Sequence, residues 1–405
     1  MLKTPDTVWY FPWPKKSKKE EYMIKNSKVR DIANITVMLM MFLFYSLTFM
    51  VPKFYGLTED YVGVFIFVML GLLTILNVNI FSEAKALKPD FLIIVALVIV
   101  TGVNLLIVKS GLGAFFVATD FALIWYLSEK IELKKWQFIT IGASYLALML
   151  YWFFYTYNWM FADYRTYAMN TNTAATFTMF SLLCLFILLE HFYEKYPIVG
   201  LLMIIVLVKA LQITLYHRGR GSFIMLIVFS LFRFIIPKKW WNKKGFYWTV
   251  VVFSTFGSLL FVAFYVFLGT TGVNFRLPFF YKNLFSGREA IWLEFWNLFK
   301  RKPLTGIGTN VTIESFFEFN VHNAMYNILV IHGVIVFALT IALMFIRLKK
   351  LRSNFRLSPV AFAALMSVFA VCIESFFDVD LIWCNYSFNL LFLLLSVGLD
   401  LNTSE

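Results

Sequence analysis

Apolar residues run along this chain in long blocks separated by short polar or basic segments. The blocks have the length of a membrane-spanning helix, about 20 residues. Twelve can be read, at 32 to 51, 61 to 80, 91 to 108, 111 to 127, 137 to 155, 174 to 190, 198 to 216, 222 to 236, 246 to 268, 324 to 346, 358 to 373 and 382 to 399. The pattern predicts an all-α polytopic membrane protein with about 12 transmembrane helices. A helix satisfies its own backbone hydrogen bonds where hydrocarbon offers no partner.

Basic residues orient the spans, because cationic loops resist translocation. With the N-terminus inside, 23 of the 36 Lys and Arg residues fall on cytoplasmic segments and 11 on the opposite face. Both termini are therefore expected in the cytoplasm. The polar start, rich in Lys, lacks a cleavable signal pattern, so the first apolar run is expected to act as a signal anchor. The chain then divides into a basic cytoplasmic segment (1–31) and a single transmembrane domain (32–400), with one large external loop (269–323) within it.

Composition agrees: of 405 residues 60% are hydrophobic and only 15% charged, which excludes an ordinary soluble domain. The net charge of +13 is accounted for by topology and by attraction to anionic membrane lipids, so no nucleic-acid partner is needed. Cys184, Cys372 and Cys384 lie in or beside apolar runs without CxxC spacing, and read as core residues.

The external loop is far longer than the ~2–8 residues usual between packed helices. Its stretch SGREAIWLEFWNLFKRKPLTGIGTN offers Ser286 as an N-cap with Glu289 three positions on. Ile291, Trp292, Phe295, Trp296 and Phe299 then recur at helical spacing until Pro303 and Gly306. This predicts an amphipathic helix at the outer membrane interface, its tryptophans at headgroup depth. Gly306-Ile307-Gly308 follows, with backbone able to approach a ligand closely.

Of the four histidines, His322 stands at the external end of a span, beside the aromatic and cationic loop, where a neutral imidazole can serve as a general base. His332 falls inside the tenth span, where a helix-packing role is the default. Arg218 and Arg220 occupy a short external turn and Arg288 the long loop. Guanidinium groups match phosphate oxygens with paired hydrogen bonds, so these three form a candidate clamp for a lipid-linked phosphate. Glu59-Asp60, Glu374 and Asp378-Val379-Asp380 are external acids that could instead hold a divalent cation.

The Arg220-Gly221-Ser222 turn between two spans is followed by the loop opening SGREAIW, with Gly287-Arg288 four residues before Trp292. KPLTGIGTN comes next, then His322-Asn323 and, after nine residues, Gly333. Together these resemble the O-antigen polymerase and O-antigen ligase superfamily, over roughly residues 205 to 345. The chain departs from that pattern at Val336, three residues after Gly333, and at His332, where such proteins often carry an acid.

The resemblance implies a metal-independent glycosyltransferase of the bacterial cytoplasmic membrane, with no cofactor. It would transfer glycan from an undecaprenyl-pyrophosphate donor to an acceptor sugar hydroxyl on the outer face. Arg220 and Arg288 would bind pyrophosphate, with Arg218 an extra candidate, and His322 would be the base. Asn323, Trp292 and Gly333 match supporting positions. Trp292 and Trp296 offer faces for sugar stacking. A repeat-unit polymerase for capsule, exopolysaccharide or O-antigen is favoured over a ligase, since Phe, Ile, Asn and Lys abound and no loop points to a lipid A core acceptor. Expected partners are the lipid-linked oligosaccharide, the growing polysaccharide chain, membrane lipids and a chain-length regulator. A metal-dependent transferase using the external acids and a flippase for lipid-linked glycans are the competing readings.

Overall fold

The computed structural model describes residues 18–51, 60–153, 171–272, 287–315, 320–355 and 358–399, with single residues at 54, 56 and 58. Ser286 and Glu59 lie outside the described residues. No strand occurs among those described. In chain order the helices are α1 (Lys18–Met50), α2 (Val62–Asn77), α3 (Ile80–Lys85), α4 (Pro89–Val108), α5 (Leu112–Lys130), α6 (Lys135–Tyr151), α7 (Thr171–Tyr193), α8 (Val199–Tyr216), α9 (Arg220–Ser230), α10 (Lys238–Trp241), α11 (Lys244–Thr270), α12 (Arg288–Phe299), α13 (Ala324–Asn354), α14 (Pro359–Glu374) and α15 (Ser387–Val397).

Each of the apolar runs holds a helix, and 7 helices are long and apolar enough to cross a membrane. The protein is thus an all-helical, multi-pass membrane protein. Helices α7, α14 and α15 are buried along almost their whole length and form the centre of the bundle. Around them, α4 and α8 turn Leu, Ile and Val side chains outward, including Leu106 and Ile204, as a lipid-facing surface requires.

Polar side chains mark the two ends of the bundle differently. At one end Lys130 bridges Glu83 (3.0 Å) and Asp90 (3.0 Å), Lys88 pairs with Glu83 (2.8 Å), and Lys350 pairs with Glu129. At the other, Thr309 ties the long loop to the α4–α5 turn through Ser110 (2.9 Å) and the Gly111 amide (2.9 Å).

Helix α13 breaks at Gly333, which takes φ 86° and ψ 170°. The segment 303–308 of the long loop runs into this break. Ile307 N–H donates to the Val330 carbonyl (2.9 Å), Gly308 N–H to Ile331 (3.1 Å), and Val334 N–H to Pro303 (2.9 Å). Asn104 donates its side-chain N–H to the His332 carbonyl (2.9 Å). The carbonyls freed by the break are therefore paired, as burial of backbone demands. The two segments touch backbone to backbone: a Cβ on Gly333 would lie 2.2 Å from the Leu304 carbonyl oxygen, and one on Gly306 2.2 Å from that of Ile331. Sequence spacing marks Gly333 as a motif position; the structure gives it a mechanical role.

Candidate functional site

Helix α12 starts at Arg288, with Gly287 in its N-cap at φ 81°. One face carries Ile291, Trp292, Phe295 and Phe299, all buried against α11 and α13. The helix is amphipathic, but its apolar face is spent on the protein. Trp292 is 1% exposed and donates its indole N–H to the Val321 carbonyl (2.7 Å), while its own carbonyl accepts from the Tyr326 hydroxyl (2.8 Å). Trp292 is therefore a strut under the following loop, and Trp296 keeps the more open ring.

That loop carries His322. Next to it, Asn323 is fully buried and caps α13, its Oδ1 accepting from Tyr326 N–H (2.9 Å) and from the Ser258 hydroxyl (2.6 Å). Its Nδ2 donates to the Phe376 carbonyl (3.0 Å), and Ala324 N–H donates to Ser375 (3.1 Å). Asn323 thereby fastens the start of α13 to the 375–377 segment. His322 itself adopts φ 51°, unusual for a residue with a side chain, and its N–H donates to Asn320 Oδ1 (2.8 Å). Its ring Nδ1 lies 3.4 Å from Asp378 Oδ1.

Asp378 joins the base candidate to the cationic one. Its other oxygen, Oδ2, is 3.5 Å from an Nη of Arg288, whose second Nη donates to the Phe377 carbonyl. Arg220 opens α9 and lines the same polar pocket as Arg288 and Asp378, together with Gly221, Ser222 and Glu374. The positive charge of Arg288 reaches Arg220, which also hydrogen-bonds to the Tyr265 hydroxyl. Gly221 permits this packing, since a Cβ there would lie 2.6 Å from Glu374 Oε1. Two like charges held side by side, at the N-terminus of a helix, make a site for an anion. The enclosed part is about 20 Å³, roughly one water, so a phosphate would bind at its mouth. Arg218 is exposed, at φ 55°, and does not line the pocket.

The two aspartates of the DxD sequence differ in partners. Asp380 Oδ2 accepts from the Thr176 hydroxyl (3.1 Å), which also shares a proton with Ser222 (3.2 Å). Burial, and then the nearby charge of Asp378, push the Asp380 carboxyl up to about 8. Burial alone would raise Asp378 too, but the hydrogen bond to His322 and the Arg288 charge outweigh it and hold that carboxyl below its ordinary value. Among the described residues no group of three His, Cys, Asp or Glu side chains is spaced to hold a metal ion.

These opposite shifts make a testable pH dependence. Folded Asp380 retains its proton between its unfolded value, about 4, and about 8, so across that window the folded state binds more protons and stability falls as pH rises. Asp378 acts oppositely, and its contribution is lost only in acid. The melting temperature of the solubilised protein is expected to drop from pH 6 to pH 9, and Asp380→Asn should reduce that slope, the neighbouring Glu374 carboxyl, raised by burial and then by Asp380 and Asp378, adding to it with the same sign. An unchanged slope in the variant would place the titrating group elsewhere.

Compared with protein-family models and with curated proteins, the chain matches none. The site therefore rests on its own geometry. That geometry brings His322, Arg220 and Arg288 together and adds Asp378 and Tyr265. In the sequence Asp378 appeared only within a competing divalent-cation reading of the external acids; its place beside His322, 56 residues away in the chain, was hidden.

Proposed function

We propose that this protein transfers glycan from a polyprenyl-pyrophosphate donor to a sugar hydroxyl at the outer face of a bacterial cytoplasmic membrane, as the O-antigen polymerase and ligase superfamily does. The observation that carries the reading is one pocket lined by two guanidinium groups from separate elements and by Asp378, whose carboxylate also meets the ring of His322. Twelve spans with both termini inside fit this reading. The ion-paired end holding Lys130 and Lys350 is then cytoplasmic, and the end holding Arg288 and His322 is external.

Transfer breaks the bond between the sugar's anomeric carbon and a phosphate oxygen, and negative charge grows on the departing pyrophosphate. Arg220 and Arg288, fixed in a partly dry site, stabilise that charge without reorganising. With Nδ1–H directed at Asp378, His322 presents Nε2 as acceptor for the proton of the attacking hydroxyl. Asp378 holds the ring and stabilises the imidazolium formed. A repeat-unit polymerase, with the lipid-linked oligosaccharide and growing chain as partners, is preferred to a ligase on composition.

The two arginines of the turn separate the reading from ordinary headgroup contact. Arg220→Lys, which keeps the charge but loses the planar fork, is expected to slow chain growth tenfold or more. Arg218→Lys should leave it near normal. Equal and mild effects of both would remove Arg220 from the site.

A further inference from the structure

A second cavity, of about 330 Å³, opens beside the site and takes its wall from Gly113, Asn327, His332, Val379 and Trp383. Its place is fixed by the same chain: Asp378 borders the arginine pocket, and the next residue, Val379, borders this one. The α4–α5 turn and Thr309 close it on the side where the long loop is tied down.

His332 gives the cavity its chemistry. The residue is only 4% exposed, yet its Nε2 is buried with no hydrogen-bond partner. The broken helix uses the His332 carbonyl, bonded to Asn104, but makes no use of the ring. A neutral imidazole carries one donor and one acceptor, and leaving the buried Nε2 unmet is unfavourable by about 1–3 kcal/mol. Asn327, five residues earlier on the same wall, has its backbone N–H engaged in the helix, while no bond is found for its side-chain amide among the described residues. The Trp383 indole supplies an apolar face.

An occupant must therefore be small, polar at its edges and apolar on one face. A pyranose ring has this form: hydroxyls around the rim and a C–H face that stacks on indole. A lipid tail would leave the imidazole and the amide unmet, and a phosphate would find no cation, since no Lys or Arg lines the cavity. We infer that this cavity binds one pyranose ring of the glycan, beside the anion pocket and one residue removed from Asp378. The inference rests on the glycosyl-transfer reading and extends it to the sugar.

The test is saturation-transfer NMR on the full protein in lipid nanodiscs, with methyl glycosides of glucose, galactose, mannose, N-acetylglucosamine and N-acetylgalactosamine as probes. At least one glycoside is expected to receive saturation. Gly113 lines the cavity and a Cβ there meets nothing within 4 Å, so Gly113→Phe should reduce that signal at least tenfold by obstructing the cavity, in protein whose melting temperature matches that of Gly113→Ala. His332→Leu should weaken it, and His322→Ala and Arg288→Ala should leave it intact. Absence of signal for every glycoside, or a signal that survives Gly113→Phe, would overturn the inference. Binding retained together with normal chain growth in Arg288→Ala would instead keep the sugar site and refute the transfer reading. In a transfer assay, Gly113→Phe protein that releases polyprenyl pyrophosphate without lengthening the glycan marks the acceptor's ring, and protein that releases none marks the donor's.

Discussion

Gly333→Ala is expected to prevent the protein from accumulating in a folded form. The residue's φ of 86° with ψ of 170° belongs to glycine almost alone, and forcing a side chain there costs about 1–3 kcal/mol in the dihedrals. The collision comes on top: the new Cβ would sit 2.2 Å from the Leu304 carbonyl oxygen, and backbone cannot swing aside as a flexible side chain can. Relief would require segment 303–308 to leave the break, exposing the Val330 and Ile331 carbonyls that Ile307 and Gly308 now satisfy. Gly306→Ala should behave alike, because the crossing is reciprocal. Gly113→Ala, where a Cβ meets open space, is the matched control. Size-exclusion profiles and melting temperatures of the solubilised variants decide the matter. A monodisperse Gly333→Ala protein melting with the wild type would show that the crossing is dispensable.

The second large effect falls on chemistry and not on folding. His322→Ala is expected to lower the transfer rate about 10²–10⁴-fold, the usual contribution of a positioned general base. Its side chain is 19% exposed and its ring meets the Asp378 carboxylate, so melting temperature should fall by only a few degrees while the rate falls by orders of magnitude. Asp378→Asn should also slow transfer strongly, because an amide can present a donor to Nδ1 and turn the wrong tautomer toward the acceptor. Asn323→Ala makes a useful contrast. It removes three side-chain bonds, the cap on α13 among them, so it should reduce stability and activity together. If His322→Ala and Asp378→Asn both retain full rate, the histidine is a structural cap and the proton leaves by another route.

Much of the architecture was readable because hydrophobic length is a strong local signal: each apolar run became a helix, and the run in the long loop became α12. What was not readable depended on contacts between distant segments. Trp292, expected at headgroup depth, is buried under the 320s loop because α12 packs on α11 and α13. Arg218 and Arg220 look alike in sequence, and only the helix start at Arg220 turns one of them toward Arg288. Asp378 stood out only as half of a DxD pair. Its approach to His322 depends on Asn323 clamping the 375–377 segment, a contact with no sequence period. The partner of Gly333 was likewise out of reach, since Gly306 and Gly333 belong to different segments and their proximity is set by the fold. His332 was set down as helix packing, and its unmet ring nitrogen became evident only with the cavity around it.

The central claim is that the paired arginines hold a departing pyrophosphate beside a histidine base. Its most direct measurement uses the purified protein in nanodiscs with a polyprenyl-pyrophosphate-linked oligosaccharide, in buffer containing EDTA, following glycan lengthening and polyprenyl-pyrophosphate release together. The account predicts that both proceed in step in the wild type and that both are lost in Arg288→Ala protein of normal melting temperature. Lengthening that continues in Arg288→Ala, or that requires added magnesium or manganese in the wild type, would contradict it.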